Sequence, residues 1–475
     1  MSNHVKNYAL SAITIALVSL AGCFPESSIE WSADGSVGLF SVGGKLALID
    51  GDSGELTMLE TGEVMPLPCM SDDGQTLVYC EAEKLDDLDI GLKALPPGQV
   101  AMIKKDAEDL KRRIGDPQSF DGQFGAFAGD NLEEPYRYWV IRYLCQKDIE
   151  FAAKLKKEHV EKALESDLTY FSLKRVLRKE MHNIRPIAIS AMPIWRPRLS
   201  PDGRNVAYLM AKSVEDPVLD LMVGEGDIRA MHVATNVSLG YDWRRDSRAL
   251  LYCKAEDDNE IVGTIQERVV VGSDGKLAAG QPDEFKGDMA GDSTCDNEEK
   301  FLVGVLFNKL MKAEYGIEGR VFFSSAALSI PTTELQDAGF TLFCFDPLTR
   351  TVARTLSSDL SFSVGESLNL FSLSPDGTKV LLPMEKNRFA IYTFGSIVAT
   401  VPISEEDKWG DDMPMIPPSW KGNDQVTALI SNESSLLTKG EAEKAEGDDG
   451  QLALFNSDGE FVRVLIRDWP QDDEQ

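Results

Sequence analysis

Leu199-Ser-Pro-Asp-Gly203, followed by the apolar run RNVAYLM, is the clearest copy of a motif that recurs along the chain. Three other close copies precede apolar runs: Trp31-Ser-Ala-Asp-Gly35, Ser71-Asp-Asp-Gly74 and Leu373-Ser-Pro-Asp-Gly377. Asp tolerates left-handed backbone angles, and Gly reaches a positive φ without a Cβ clash. The runs that follow are rich in Val, Leu, Tyr and Phe, as buried strands are. Each copy therefore predicts a turn that leads into a strand.

Weaker copies bring the number of turns to seven. They are Trp243-Arg-Arg-Asp-Ser247, Thr294-Cys-Asp-Asn297 and Trp420-Lys-Gly-Asn423. The turns stand at 35, 74, 203, 247, 297, 377 and 423, and four of the six gaps lie between 39 and 50 residues. Further strands follow each turn, such as 45–50 and 56–59 in the first unit. One turn with about four strands is typical of a propeller blade, and six or eight blades remain possible if a weak copy is miscounted.

The motif resembles the WD40-like repeat of TolB-type β-propellers. The shared features are SPDG before a strand and a strand that ends in Asp before a short GE turn, as at Asp50 and 51–55. The resemblance implies an all-β fold, a single β-propeller of seven four-stranded blades. It assigns no catalytic residue, because the shared motif is a structural turn and propellers host many functions.

A helical insertion interrupts the second blade. Helical patterns cover 100–114, 132–146 and 147–182, so we assign residues 86–185 to the insertion and 29–85 and 186–470 to the propeller. Residues 471–475 form an acidic tail. The insertion holds 18 basic and 18 acidic residues, so the whole charge of −30 falls outside it. The aromatic and glycine-rich segment 120–129 is expected to fold back onto the helices.

The N-terminus resembles that of a bacterial lipoprotein. Lys6 precedes an uncharged apolar run at 10–20, which is the length of a signal-peptide core and too short to span a bilayer well. Leu20-Ala-Gly-Cys23 resembles a lipobox, which implies a signal peptide at 1–22, acyl chains on Cys23 and a short tether at 23–28. Phe24 in place of Asp implies the outer membrane, facing the periplasm. The alternatives are an ordinary cleaved signal and a buried helix with a chance cysteine.

Composition excludes several classes of function. The chain carries 48 Lys and Arg against 78 Asp and Glu, and its pI is near 4.5. This excess argues against binding nucleic acid, which needs clustered positive charge. Neither a G-x-S-x-G elbow nor an H-E-x-x-H motif is present. His159 and His182 read as solvated and His232 as structural, so we assign no cofactor and no metal.

Four other features have a structural and a functional interpretation. The acidic segment 50–55 could partly coordinate calcium, but a hairpin turn explains it without a metal. The cluster at 405–412 is a solvated loop or a surface for a cationic partner. Trp31, Trp243 and Trp420 are expected to pack between blades, whereas exposed rings would indicate ligand stacking. The cysteines after Cys23 are either buried free thiols or disulfides: Cys69, Cys80, Cys145, Cys253, Cys295 and Cys344.

The sequence therefore predicts a non-enzymatic, lipid-anchored propeller that acts as a protein-interaction or scaffolding module at the cell envelope. Its protein partner is unidentified. One alternative is a glycan-processing enzyme that uses paired carboxylates in the central channel. Another is a binder of glycans or small ligands that uses aromatic side chains in the channel. Two carboxyl groups about 5–10 Å apart in a deep pocket would favour the enzyme.

Overall fold

The protein was analysed as a computed structural model. The structure describes residues 29–42, 44–65, 67–115, 136–153, 157–165, 167–211, 219–225, 230–255, 262–285, 288–289, 305–306, 312–325, 341–354, 371–384, 388–393, 396–402, 416–430, 434, 436–437 and 450–467. Within them, seven antiparallel sheets follow one another along the chain, and each is built mainly from consecutive strands. The predicted seven-bladed β-propeller is confirmed.

Blades one to three have the following strands: β1 (Glu30–Trp31), β2 (Val37–Val42), β3 (Lys45–Asp50) and β4 (Leu56–Met58) in blade one; β5 (Glu63–Val64), β6 (Cys69–Met70), β7 (Thr76–Leu85), β8 (Leu168–Leu177) and β9 (Arg185–Ser190) in blade two; and β10 (Ile194–Leu199), β11 (Val206–Ala211), β12 (Leu219–Gly224) and β13 (Met231–Ala234) in blade three. In blade two, β5 and β6 both pair with β7 and together form one interrupted innermost strand.

Blade four has β14 (Val237–Trp243), β15 (Ala249–Ala255), β16 (Val262–Val269) and β17 (Pro282–Glu284). The next two strands in the chain are β18 (Asp288–Met289) and β19 (Val305–Leu306), and β19 pairs with β16. The remaining strands are β20 (Ala313–Tyr315), β21 (Val321–Ser325), β22 (Thr341–Asp346) and β23 (Thr351–Arg354) in blade five; β24 (Ser372–Leu373), β25 (Lys379–Met384), β26 (Arg388–Thr393) and β27 (Ser396–Pro402) in blade six; and β28 (Ser419–Lys421), β29 (Gln425–Ile430), β30 (Gln451–Asn456) and β31 (Phe461–Ile466) in blade seven. A single parallel pairing joins β18 to the outer strand β23 of blade five.

Alternating residues of each strand pack against opposite neighbouring blades. In blade one, Leu39 joins the apolar cluster shared with blade two, whereas Phe40 joins the cluster shared with blade seven. In blade six, Val380 faces blade five and Leu381 faces blade seven. Seven apolar clusters of this kind fill the seven gaps between blades. Both faces of each sheet are therefore buried, which explains the nearly continuous apolar runs after the turns.

Among the described residues, the ring closes between blades one and seven without exchange of a strand. Blade one is built from residues near the start of the described chain, and blade seven from its end. Side chains close the gap instead: Trp31 Nε1 donates a hydrogen bond to Thr427 Oγ1 at 2.9 Å. Ile29 and Ile466 lie in the apolar cluster that fills the same gap.

The repeated motif forms one kind of turn, in which a buried serine bonds both to the turn aspartate and to the next strand. In blade three, Ser200 Oγ donates to Asp202 Oδ1 at 2.6 Å and accepts from the N–H of Asn205 at 3.0 Å. The same pattern occurs at Ser32, Ser71 and Ser374. The glycine at the turn has a positive φ, 68° at Gly203 and 73° at Gly377.

Blade five has a turn that the motif did not predict. Its first two strands are joined at 316–320, where Glu318 and Gly319 have φ values of 58° and 72° in a short 3₁₀ turn at Ile317–Gly319. The predicted turn at 294–297 lies outside the described residues. The described residues 312–325 contain the first two strands of this blade, β20 and β21.

The insertion leaves blade two between β7 and β8. Its helices are α1 (Leu88–Ala94), α2 (Pro97–Gly115), α3 (Tyr136–Lys147), α4 (Ile149–Ala152) and α5 (Lys157–Glu165). Arg142, on α3, links the beginning and the end of the insertion. Its Nη1 donates to the carbonyl of Asp86, and its Nε donates to that of Ala163. Within the described residues, no helix combines the length and the apolarity that crossing a membrane requires.

The predicted end of the insertion at residue 185 is wrong. Residues 168–177 form β8, which pairs along its whole length with β7, and 185–190 form β9. The helical insertion ends before residue 168, and residues 86–167 hold 13 basic and 17 acidic residues. The insertion is therefore mildly acidic. Its predicted charge balance arose because the basic residues between 168 and 185 were counted with it. The aromatic segment 120–129 lies outside the described residues.

Candidate binding site in the central channel

The innermost strands of the blades surround the axis of the ring. Neighbouring innermost strands contact one another around the ring. The contacts join β24 to β28, β28 to β1, β1 to β6, β6 to β10, β10 to β14 and β14 to β20. Side chains on one face of these strands therefore meet at the centre. Charged residues from blades one, three, four and five lie there: Glu30, Arg196, Arg198, Asp242, Lys312 and Glu314.

The position of these residues follows from the turn motif. The residue just before each turn packs between blades and is always apolar or aromatic: Trp31, Met70, Leu199, Trp243, Tyr315, Leu373 and Trp420. The residue two positions before the turn is on the opposite face of the strand. At this second position stand Glu30, Cys69, Arg198, Asp242, Glu314, Ser372 and Ser419. Arg196 and Lys312 lie two residues further from the turns.

The three tryptophans that the sequence singled out pack between blades, as predicted. Trp243 Nε1 donates to the carbonyl of Arg198 in blade three at 3.0 Å, and Trp420 Nε1 donates to that of Ser372 in blade six at 3.0 Å. Trp31 bonds to blade seven. An aromatic residue that the sequence reasoning missed is Trp195, which is 36% exposed next to Arg196.

Four of the charged side chains form one network, in which Lys312 and Glu314 are buried and Arg198 and Asp242 are half-buried. Arg198 contacts the carboxylates of Asp242 and Glu314, at 3.4 and 3.9 Å. Lys312 Nζ lies 2.6 Å from Glu314 Oε1 and also donates to the carbonyl of Phe371 at 2.6 Å. This network links blades three, four and five through side chains and reaches blade six through the carbonyl of Phe371.

Backbone amides complete the bonding of both carboxylates. Asp242 Oδ1 accepts from the N–H of Trp243 and Oδ2 from that of Tyr315, both at 2.9 Å. Glu314 Oε2 accepts from the N–H of Leu373 at 2.9 Å. All four carboxylate oxygens are therefore engaged by protein donors.

Burial and neighbouring charge move the pKa values of the network in different directions. Burial raises the pKa of Asp242 to about 6, against the attraction of Arg198. Burial acts in the same sense on Glu314, but Lys312 and Arg198 outweigh it and lower its pKa. Burial lowers the pKa of Lys312 to about 8, an effect that Glu314 opposes and Arg196 strengthens.

Two charged side chains remain outside this network and are accessible to solvent. Glu30 is exposed, and Arg196 is half-buried. Glu30 is nevertheless surrounded by enough protein that desolvation raises the pKa of its carboxyl group. Both residues interact electrostatically with Arg198. Trp195, which precedes Arg196 in the chain, is exposed as well.

Other predicted sites have ordinary structural roles or cannot be placed. Asp50 Oδ1 accepts from the N–H and the hydroxyl of Ser53, both at 2.8 Å, so it stabilises the hairpin turn at 50–55. No group of three or more potential metal ligands converges within the described part of the chain. Cys23 and the acidic cluster at 405–412 lie outside the described residues.

Some of the histidines and most of the cysteines named from the sequence lie within the described residues. His182 is exposed, and His232 Nε2 lies 3.4 Å from Asp220 Oδ1 on a neighbouring strand. The side chain of His159 lies outside the described part. The five cysteines that the structure describes are free thiols, namely Cys69, Cys80, Cys145, Cys253 and Cys344. Cys80 and Cys253 are buried at the same level of blades two and four.

No family model and no curated protein matches the sequence. Among solved structures, that of TolB from Acinetobacter baumannii is 16% identical over 63% of this chain and 61% of that chain, with a TM-score of 0.36. The match thus spans less than two thirds of that TolB.

Two other solved structures are similar at comparable levels. The β-propeller domain of the Trilobed protease from Pyrococcus furiosus, described as having an open velcro topology, is 10% identical over 94% of this chain and 98% of that chain, with a TM-score of 0.45. Oligogalacturonate lyase in complex with manganese is 14% identical over 75% and 73%, with a TM-score of 0.40. At these values the likenesses assign neither an activity nor a ligand to this chain.

Proposed function

We propose that this chain is a lipid-anchored β-propeller of the cell envelope that binds a protein partner at its central channel without catalysing a reaction. Acyl chains on Cys23 anchor it in the outer membrane, where it faces the periplasm. The lipobox-like sequence supports the anchor. Only residues 24–28 separate Cys23 from Ile29, which is buried between blades one and seven. Five residues span about 20 Å at most, so the ring stays close to the bilayer.

The bonding of Asp242 and Glu314 is the observation that carries the non-enzymatic role. A general acid or base must exchange a proton with a substrate within hydrogen-bond distance. Every oxygen of these two carboxylates already accepts from an arginine, a lysine or a backbone N–H. The charged groups outside this network are Arg196 and Glu30, and together with the exposed Trp195 they offer one aromatic ring and two opposite charges suited to recognition.

Partner capture with matched variants tests this function. The wild-type protein, Trp195→Ala and Glu30→Gln are compared as full-length chains purified from membranes in mild detergent. We expect a co-purifying envelope protein that the wild type retains and the two channel variants lose. Val462→Ala, which shortens an exposed side chain on the outer strand β31, should retain it. A partner that binds all four proteins equally would contradict recognition at the channel.

A second candidate function is glycan hydrolysis or elimination with Asp242 and Glu314 as an acid–base pair. Both carboxylates contact Arg198, which keeps them within about 10 Å of each other, as paired carboxylates in glycosidases are. Their pKa values are also moved in opposite directions, as acid–base pairs require.

Assays of polysaccharide depolymerisation distinguish the two functions. Release of new sugar ends from envelope glycans is measured with the wild-type protein, Asp242→Asn and Glu314→Gln. Activity that both variants abolish while they keep the wild-type melting temperature would establish the enzyme. No activity in the wild type, together with a partner that depends on Trp195 and Glu30, would favour the binding role.

A further inference from the structure

The cations of the channel are not all neutralised by the carboxylates around them. Arg198 has two carboxylate partners, and Lys312 has one and a carbonyl. The guanidinium of Arg196 donates to the carbonyl of Leu239 at 3.2 Å. Among the described residues, no carboxylate lies within ion-pair distance of Arg196. A guanidinium has five N–H donors, so most of the donors of Arg196 are available to a ligand.

The surroundings of Arg196 come from four different blades, which places the guanidinium in the channel. Arg196 belongs to blade three and bonds to blade four through Leu239. Its charge also interacts with Glu30 of blade one and Glu314 of blade five. Blades one, three and five can meet only near the axis of the ring. The guanidinium therefore faces the central channel, not the outer surface.

The backbone of Arg196 is held in an unusual conformation. Its φ is 47°, at a point where the pairing of β10 with β11 shifts register between Trp195 and Arg198. A positive φ in a non-glycine residue is strained and persists only when its surroundings enforce it. The hydroxyl of Tyr241 donates to the carbonyl of Arg196 and fixes this conformation. The side chain is therefore presented from a restrained backbone.

The helical insertion holds the segment that leads into this strand. Gln99, on α2, is buried, and its amide accepts from the N–H of Ala191 and donates to the hydroxyl of Ser190, both at 2.8 Å. Residues 190–193 connect directly to Trp195 and Arg196. The insertion and Trp195, near the start of β10, therefore lie at the same end of the propeller, opposite the repeated turns.

We propose that Arg196 binds the carboxylate of a ligand that enters the central channel, with Trp195 packing against the ligand beside it. The inference rests on the proposed binding role of the channel and names the chemistry that the ligand must offer. Arginine binds carboxylates through two parallel hydrogen bonds, which gives geometric selectivity as well as affinity. The neighbouring carboxylate of Glu30 repels a dianion more than a monoanion, which favours a single carboxylate over a phosphate.

A carboxylate can come from the C-terminus of a peptide or from an acidic sugar. Isothermal titration with two pairs of probes distinguishes these sources. One pair is N-acetyl-tetraalanine with a free C-terminus and the same peptide as its C-terminal amide. The other pair is trigalacturonate and neutral maltotriose. We expect the full-length protein to bind one acidic probe and to ignore its neutral counterpart, and we expect the affinity to fall as salt rises.

Variants of three residues test whether Arg196 makes the contact. Arg196→Gln should bind the acidic probe about tenfold or more weakly, because a charge-assisted hydrogen bond is lost. Arg196→Lys keeps the positive charge but not the two parallel N–H donors of the guanidinium, so its affinity for the probe should lie between those of the wild type and Arg196→Gln. Glu30→Gln should bind the short acidic probe at least as tightly as wild type, because a repelling charge is removed; the loss of the protein partner expected for this variant comes from a separate contact of Glu30 with that partner, which the probe lacks. Arg204→Gln, at a 77% exposed arginine on the turn of the same blade, should bind like wild type.

Melting temperatures show that the variants are folded, and Arg196→Lys provides a second test if the glutamine variant unfolds. Equal affinity of wild type and a folded Arg196 variant would overturn the proposal. Equal binding of acidic and neutral probes, or binding of neither acidic probe, would also overturn it. The partner-capture experiment uses Trp195 and Glu30 variants, so a partner that depends on them would leave the proposed function standing even if the carboxylate were wrong.

Discussion

Gly203 and Gly377 occupy the same position of the repeated turn but have very different surroundings. Their φ values, 68° and 73°, are nearly the same. A Cβ added to Gly203 would meet nothing closer than Ser71 Cβ at 3.9 Å. A Cβ added to Gly377 would meet the backbone N of Ile317 at 2.7 Å and the backbone C of Gly316 at 2.9 Å. Alanine at these two sites therefore separates backbone strain from crowding between blades five and six.

We expect Gly203→Ala to lower the free energy of unfolding by about 1–2 kcal/mol, the cost of a left-handed conformation for an L-residue. Gly377→Ala carries the same strain and also drives a methyl group into the backbone of blade five. Overpacking of this kind costs about 1–3 kcal/mol more. The second variant should therefore be clearly less stable than the first. Gly98→Ala is a matched control, because Gly98 lies in α2 with no atom near the added Cβ, and it should stabilise by about 0.5 kcal/mol.

Urea unfolding followed by tryptophan fluorescence measures the three differences, with the slope of the transition checked for each variant. Equal losses for Gly203→Ala and Gly377→Ala would refute the close approach of the two turns. A gain in stability for Gly203→Ala would refute the positive φ at that position and, with it, the equivalence of the turns.

Three further outcomes are expected. Ser200→Ala should cost about 2 kcal/mol, because it leaves the buried N–H of Asn205 without its acceptor, whereas Ser273→Ala, at an exposed serine, should cost almost nothing in the same urea assay. Hydrogen bonds from a serine hydroxyl and a backbone N–H lower the pKa of Asp73; its contribution is present above its unfolded value near 3.8 and is lost as the pH falls below it, so melting curves between pH 5 and 2.5 should show a shallower decline for Asp73→Asn. Cys23→Ser should leave the lipid fraction, and a variant that still resists salt and carbonate washes would contradict the anchor.

The sequence predicted the blades well because their turns are a local property. Ser, Asp and Gly at fixed offsets make the same bonds in four blades. Blade five shows the limit of this reasoning. Its turn at 316–320 has neither the serine nor the aspartate, and it relies on two residues with positive φ instead. A hairpin requires the backbone geometry, which more than one local sequence can supply.

The end of the insertion could not be predicted from local patterns. Residues 168–177 carry apolar side chains at spacings that suit a helix as well as a buried strand. All ten residues of β8 pair with β7, which precedes them by more than eighty residues in the chain. The long-range pairing decides the conformation, and the local sequence of residues 168–177 does not show that they pair with a distant strand. The predicted charge balance of the insertion was wrong for the same reason, because it was counted over residues 86–185.

The channel site was not predicted, although several of its residues stand two positions before the repeated turns in the sequence. The residue before each turn must fill the gap between two blades, so packing restricts it to apolar and aromatic types. The residue two positions before the turn lies on the opposite face of the strand, toward the axis. Chemistry can vary there without loss of the fold, and Cys69 and Ser372 occupy this level in blades two and six, where other blades have Glu30 or Arg198.

Buried charges are therefore not a requirement of the ring. Replacing buried ion pairs by apolar residues of similar size is often neutral or stabilising, and blades two and six show that uncharged residues fit this level. Stability alone does not explain why blades three to five carry Arg198, Asp242, Lys312 and Glu314 at the axis. The network does explain how Arg196 can remain charged and unpaired among the described residues, since the carboxylates of Asp242 and Glu314 are already bonded. A binding role for the channel accounts for both facts.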